Sequence, residues 1–289
     1  MKNKVRFSAF IFFLILTLGP NEKGFTADDA ALPGGFGVSL GPSQVRVISA
    51  PGESRNESIR VWNKSNHAMT FSVDIADVGN RVDQDGNLVR DFVPAGTLPY
   101  SCAPWILLQE KQFSLEAGTH RDFTILLSAP ADETGGKAAI IFFTGAPTTE
   151  PQSGADANQP TASVSIQPRL GVLIFYEIEN TVQRAGVIEN FEVKLATDEE
   201  ALVMNYTFEN TGNTDILVSG SFYILDEAKT LAAKDDITTM RTFPGDRGVS
   251  QTRWEGYLAP GNYHLVASFE LGPNSETVIV KESDFSVSE

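Results

Sequence analysis

Apolar residues recur at every second position along most of this 289-residue chain. Ile59 and Val61, then Met69, Phe71, Val73 and Ile75, then Phe123, Ile125 and Leu127 alternate with polar neighbours. A two-residue period places each apolar set on one face of a half-buried strand. No segment holds apolar residues at i, i+3, i+4 and i+7 over three turns, and only Leu225 to Asp236 leaves room for a short, weakly patterned helix. The core must therefore be made by sheets.

Turns set the number and length of the strands. Ala50-Pro51-Gly52-Glu53, Glu116-Ala117-Gly118-Thr119 and Ala259-Pro260-Gly261-Asn262 each separate one apolar stretch from the next. Proline presets φ at the first central turn position, and glycine accepts positive φ at the next. Many short strands cut by such turns make a sandwich or a barrel. The order also repeats. Ile59-Arg60-Val61-Trp62-Asn63-Lys64-Ser65-Asn66 leads into Met69 to Val73, and Tyr206-Thr207-Phe208-Glu209-Asn210-Thr211-Gly212-Asn213 leads into Ile216 to Val218. Phe113 to Gly118 before Phe123 is paralleled by Trp254 to Gly261 before Leu265. Two copies of one order predict two related domains. The expected fold is all-β, two immunoglobulin-like sandwiches in tandem over 34–180 and 185–289, with the boundary near Glu179 to Ala185.

Ala146 to Ala162 has no large apolar residue and is rich in Pro, Thr, Gln, Asn and Ala. Such a stretch cannot bury enough surface to order itself. It is expected as a flexible loop inside the first domain, because a strand pattern resumes from Val164 to Ile178. Brief proteolysis should nick this loop first and leave the first domain associated; fragments that separate without denaturant would contradict the placement of that strand.

The N-terminus bears on compartment. Lys2, Lys4 and Arg6 precede an apolar run from Phe7 to Leu18, which Pro20, Asn21, Glu22 and Lys23 end. That pattern is a secretory signal, and the run falls short of the roughly 20 apolar residues a membrane span needs. Residues 1–27 read as a signal peptide, and the mature chain is expected to be exported, to the periplasm or the cell surface, with no membrane span. N-terminal sequencing of the envelope form should begin near Asp28; a cytosolic protein with Met1 intact would contradict export. Losing 1–27 removes four basic residues and one acidic residue and moves the net charge from −15 to −18. So acidic a chain repels phosphate backbones, which excludes nucleic acid as a partner. Cys102 is the only cysteine. The core must hold by packing without disulfides, and Cys102, between Ser101 and Ala103, reads as a small buried side chain.

Several short motifs point further. Gly37-Val38-Ser39-Leu40, Val45-Arg46-Val47-Ile48, Pro51-Gly52-Glu53, Val61-Trp62-Asn63, Leu98-Pro99-Tyr100-Ser101-Cys102-Ala103-Pro104-Trp105-Ile106 and Leu115-Glu116-Ala117-Gly118 resemble the first domain of periplasmic pilus chaperones. The arrangement is also similar to the WxL-interacting surface proteins, which pair a wall-binding Ig-like domain with a second one. The resemblance covers about residues 36–178. It implies a non-enzymatic envelope protein, without a cofactor, whose partner is another envelope or surface-assembly protein. The second resemblance implies peptidoglycan or another surface protein instead. In the chaperones, an Arg of the first strand and a Lys of the last strand of the first domain anchor a partner's terminal carboxylate. Arg46 matches the Arg. The Lys position is Leu173, and Arg169, four residues earlier, is the nearest base. Glu133-Thr134-Gly135-Gly136-Lys137 stands where the family carries an acidic-basic motif.

Catalytic and metal motifs fail on context. Gly37-Val38-Ser39-Leu40-Gly41 fits G-x-S-x-G, but a nucleophile elbow needs a strand before it and a helix after it. His67, His120 and His264 are far apart, without metal-ligand spacing. Asp83-Gln84-Asp85-Gly86-Asn87 has some features of a calcium loop but lacks its third acidic position and terminal Glu, and Asp-Gly also begins hairpin turns. Trp62, Trp105 and Trp254 sit in strand patterns and read as core. No nucleophile, base and orienting group can be assembled.

The strand beginning at Ser163 carries the site expectation. Val164, Ile166, Pro168, Leu170, Val172 and Ile174 share one face, while the other face turns apolar only at Leu173 and Phe175. In one reading the even residues fill the domain's own core and the later odd residues meet the second domain. In the other, Ile166, Leu170, Val172 and Ile174 complete a partner's sheet by strand addition. Arg46 and Arg169 then receive the partner's carboxylate.

Overall fold

A computed structural model describes residues 37–148, 167–195, 201–272, 275 and 277–288. The expected signal peptide, Val164 and Ile166 lie outside them. The first ten strands are β1 (Val38–Gly41), β2 (Gln44–Ser49), β3 (Ser54–Asn63), β4 (Met69–Val82), β5 (Leu88–Pro94), β6 (Ile106–Leu108), β7 (Gln112–Leu115), β8 (His120–Ser128), β9 (Gly136–Pro147) and β10 (Arg169–Ile178). They form two facing sheets, β1-β3-β8-β6 and β2-β10-β9-β4-β5, with β7 also on β4. The alternating stripes meet between the sheets. Ile59, Val61, Phe71, Val73, Phe123, Ile125 and Leu127 are buried there with Ile141, Phe143, Val172 and Ile174. Cys102 is fully buried in the same core, and burial pushes its thiol pKa up.

The first strand segment serves both sheets. β1 runs antiparallel to β3 in one, and β2 then runs parallel to β10 in the other. β9 continues two residues into the stretch expected as loop, because Ala146 and Pro147 still pair with Thr70 and Met69.

The second unit has β11 (Gly186–Leu195), β12 (Leu202–Asn210), β13 (Ile216–Asp226), β14 (Leu231–Asp236), β15 (Met240–Thr242), β16 (Arg247–Trp254), β17 (Gly261–Leu271) and β18 (Val278–Val287). Its sheets are β11-β12-β16 and β14-β13-β17-β18, with β15 on β13. Tyr206, Phe208, Phe222, Ile224, Leu265 and Phe269 are buried between them. The chain is an all-β protein of two immunoglobulin-like sandwiches. The short helix allowed at Leu225 to Asp236 does not form; the segment is a hairpin. Asp226 accepts the Thr230 N–H at 2.8 Å, and Lys229 takes a φ of 61°. The carboxylate thus offers the backbone a turn in place of a helix.

The internal repeat has a physical basis. At the end of β3, Asn63 is fully buried, donates from Nδ2 to the His67 carbonyl at 2.8 Å and accepts the Ser65 N–H at 3.1 Å. At the end of β12, Asn210 donates to the Thr214 carbonyl and accepts the Gly212 N–H, both at 3.0 Å. In each domain one buried amide closes the same turn, four residues on by its nitrogen and two by its oxygen.

Candidate functional site: a domain junction and an open strand edge

β9 is buried on both faces. One face fills the first core. On the other, Ala138, Ile140 and Phe142 join Val78 and Phe175 in a separate cluster that takes in Phe243 of the second domain. Tyr100 stacks on Phe243 with centroids 5.2 Å apart. Its loop is held by Asp77, a buried carboxylate that accepts the N–H groups of Gly96 and Leu98 at 3.0 and 2.7 Å and the Ser101 hydroxyl at 2.5 Å. Burial pushes the Tyr100 phenol up to about 12.

A chain of charges lies beside this cluster. Arg46 grips Asp215 of the second domain with two nitrogens, at 3.0 and 2.8 Å, and also pairs with Glu177. Arg241 donates to Asp215, and Arg184 to Glu177, each at 2.5 Å. Arg46 and Arg241 both lie against the Phe175 ring, 4.5 and 4.7 Å from its centroid. Burial works against the charge of Arg46, yet Asp215 and Glu177 together raise its pKa. Both carboxylates are nearly covered, so removing either would strand cations in a low-dielectric site.

Two backbone contacts complete the junction. The Gly136 N–H donates to the Asn213 carbonyl at 2.9 Å, and a Cβ on Gly136 would fall 1.9 Å from Thr214 Oγ1. The β4–β5 hairpin reaches over so that the Gly86 carbonyl accepts the Val249 N–H at 2.9 Å. Asp83 builds that hairpin's turn, as the Asp-Gly pattern suggested, by accepting the Asp85 and Asn87 N–H groups, each at 2.9 Å. The Asn87 side chain and backbone lower the pKa of Asp83. Its contribution to the turn is therefore present at neutral pH and lost as pH falls through the depressed value. In a proton titration followed by NMR, Asp83 should titrate below an exposed aspartate; a normal midpoint would contradict the turn geometry.

The residues expected to bind a partner are not brought to one place. Arg46 lies at the junction, engaged with Asp215 and Glu177. Arg169 is exposed, pairs with Asp74 at 2.8 Å and lies 3.7 Å over the Phe142 ring. It precedes Phe175, the β2 partner of Arg46, by six residues, about 20 Å of strand. The two bases therefore do not share a carboxylate. Val172 and Ile174 are fully buried in the first domain's own core, so their side chains do not reach a partner. Leu173 and Phe175 turn to the junction instead. Leu170 is half-buried, and Ile166 lies outside the described residues.

Among the described residues, what β10 leaves open is backbone. It pairs with β9 from Arg169 to Glu177, but with β2 only from Leu173. The Leu173 N–H donates to Ser43 on the β2 side at 3.1 Å, and the Pro168 carbonyl accepts from Gly145 on the β9 side at 2.9 Å. By the two-residue period the main-chain groups of Arg169 and Gly171 face the β2 side, beyond the last bond on that side. A groove of 430 Å³ lies next to this edge, lined among others by Gln44, Arg90, Phe92, Ile140, Phe142 and Gly171.

No protein-family model matches the sequence, and no curated protein matches it. Solved structures similar to it include fimbrial chaperones. The Class 5 fimbriae chaperone CfaA is 12% identical, with a TM-score of 0.45 over 85% of this chain and 98% of that one. The CsuC–CsuE chaperone–tip adhesion subunit complex of Acinetobacter baumannii gives 10% and 0.43 over 85% and 97%. The E. coli chaperone DraB gives 13% and 0.39 over 88% and 97%. No helix among the described residues is long and apolar enough to cross a membrane.

Proposed function

We propose that this chain is an exported, non-enzymatic protein of the bacterial envelope that binds a surface-assembly protein by accepting one of its strands along the open edge of β10. The observation that carries this reading is that, among the described residues, Arg169 to Val172 pair on one side only in a sheet otherwise paired through β10. An unpaired edge is a template for another strand, and proteins ordinarily cover or blunt it. Backbone bonds supply affinity in that mode, and side-chain sites beside the edge supply selectivity. The sequence motifs of the first domain point to the same class. The junction contributes rigidity. Arg46, tied to Asp215, fixes the second domain against the sheet that presents the edge.

Arg169→Pro tests this. Proline removes the outward N–H and leaves the β9 ladder intact, because the Arg169 main chain does not bond to β9. The exposed pair with Asp74 contributes little, so the melting temperature should shift by only a few degrees. Partner subunits recovered with the wild-type protein from its own envelope should disappear with the variant. Subunits retained by the variant, or wall fragments recovered in their place, would contradict the proposal.

A further inference from the structure

The outer face of the β1-β3-β8 sheet carries an aromatic side chain that the strand pattern assigned to the core. Trp105 is buried in the first core and Trp254 packs against the second, but Trp62 is half-buried on the outward side of its strand. Its neighbours Val61 and Asn63 are the buried ones. By the two-residue period Trp62, Arg60 and Ser58 therefore face outward together. The register across the sheet places Ser39 and His120 on either side of Trp62, Gly41 and Asp122 on either side of Arg60, and Thr124 opposite Ser58.

These side chains stand together. The indole reaches toward β1, where a Cβ on Gly41 would come 3.5 Å from Trp62 Cζ3. The His120 ring lies 5.6 Å from the indole, tilted by 40°, and the Arg60 guanidinium lies 5.5 Å from it. Arg60 donates to both oxygens of Asp122, at 2.5 and 2.9 Å. That bond lowers the pKa of Asp122, so the carboxylate is an ionised acceptor at neutral pH. The pair uses only part of the donors and acceptors that the two groups carry, and its side chains are 45% and 49% exposed.

The kind of ligand follows from what this face offers. One aromatic ring among Ser, Thr, His, Arg and Asp is a stacking surface but not an apolar patch of the size a protein partner covers. Arg60 and Asp122 balance each other, so the pair has no net charge with which to attract an ion, and the acidic chain repels anions. An open sheet face meets its ligand from one side, which suits an extended polymer and not an enclosed small molecule. We propose that this face binds a neutral polysaccharide of β-linked, glucose-type units, with one sugar ring stacked on Trp62 and hydroxyls beside it shared between Asp122 and Arg60. The hydroxyls of such a sugar are equatorial, so the faces of the ring are apolar and its rim is polar. That pattern matches an aromatic ring set beside a charged donor and acceptor. The site lies on the sheet opposite β10 and does not rest on strand addition.

The test titrates cellohexaose, a neutral β-1,4-linked glucose oligomer, into the mature protein and follows the tryptophan indole N–H and backbone amide signals by NMR. The Trp62 indole and the amides of Arg60 and Asp122 should move together at millimolar sugar, while the indoles of Trp105 and Trp254 stay in place. Trp62→Ala should abolish the shifts. Arg60→Met combined with Asp122→Leu should weaken binding about tenfold or more, since hydrogen bonds to both charged groups are lost. Replacing both partners of an exposed pair by groups of similar bulk leaves the fold intact, so this variant reads binding even if Trp62→Ala unfolds the sheet. No movement of the Trp62 indole, movement centred on another tryptophan, or binding that survives the paired substitution would overturn the proposal. The Arg169 and Gly171 amides report strand addition separately, and the sugar should leave them unmoved.

Discussion

Gly136→Val is expected to undock the two domains. The first atom of any side chain at this position would lie 1.9 Å from Thr214 Oγ1 and 2.6 Å from its Cβ. Thr214 is fully buried, so it cannot swing aside, and the backbones on both sides are bonded to each other through Gly136 and Asn213. Overpacking of a well-packed site costs about 1–3 kcal/mol and occasionally more. Here relief comes most readily by separation, which also breaks the Arg46–Asp215 pair and the Tyr100–Phe243 stack. Calorimetry should then show two separate unfolding transitions, and small-angle scattering a larger radius. A single transition at the wild-type temperature would show that the junction yields without opening.

Asp215→Ala attacks the same junction through charge. Asp215 is the shared acceptor of Arg46 and Arg241, and its side chain is 4% exposed. Removing one partner of a buried pair costs about 3–5 kcal/mol, because the remaining charge is left unpaired. Glu177 would still hold Arg46, so the loss falls most heavily on Arg241. For a chain of this size the cost corresponds to a fall in melting temperature of roughly 10 °C. The pair is partly buried, so raising the salt concentration should recover little of the difference. A shift of a degree or less would mean that water or neighbouring groups already compensate these cations.

Much of the core was legible because sheets translate sequence period directly into facing. The stripes through Ile59, Phe71 and Phe123 needed only alternation to be placed inside, and the twin asparagines Asn63 and Asn210 marked the repeat. The Asp-Gly turn at Asp83 was equally local. The junction was not. Arg46 and its acceptor Asp215 are 169 positions apart, and no short pattern announces such a pairing. The glycines of Glu133-Thr134-Gly135-Gly136-Lys137 looked like a lost motif; they are where the second domain's Asn213 and Thr214 come within contact. The β10 residues show the limit most clearly. Alternation placed Val172 and Ile174 on one face but could not say whether that face looked into this protein or toward another. Which strand lies beside β10, and where that neighbour stops, decides it, and this is a matter of register between distant segments. The helix allowed at Leu225 to Asp236 fails for a related reason. Weak helical patterning lost to a hairpin whose first strand was already fixed by β17.

Amide hydrogen exchange on the mature protein, alone and with a partner subunit recovered from its own envelope, addresses the central claim most directly. The Arg169 and Gly171 amides should exchange quickly in the free protein, since their N–H groups face the unpaired side of β10, and slow by orders of magnitude in the complex. The Val172 and Ile174 amides, already bonded to β9, should change little. A complex in which Arg169 and Gly171 exchange as fast as in the free protein would contradict binding by strand addition at this edge.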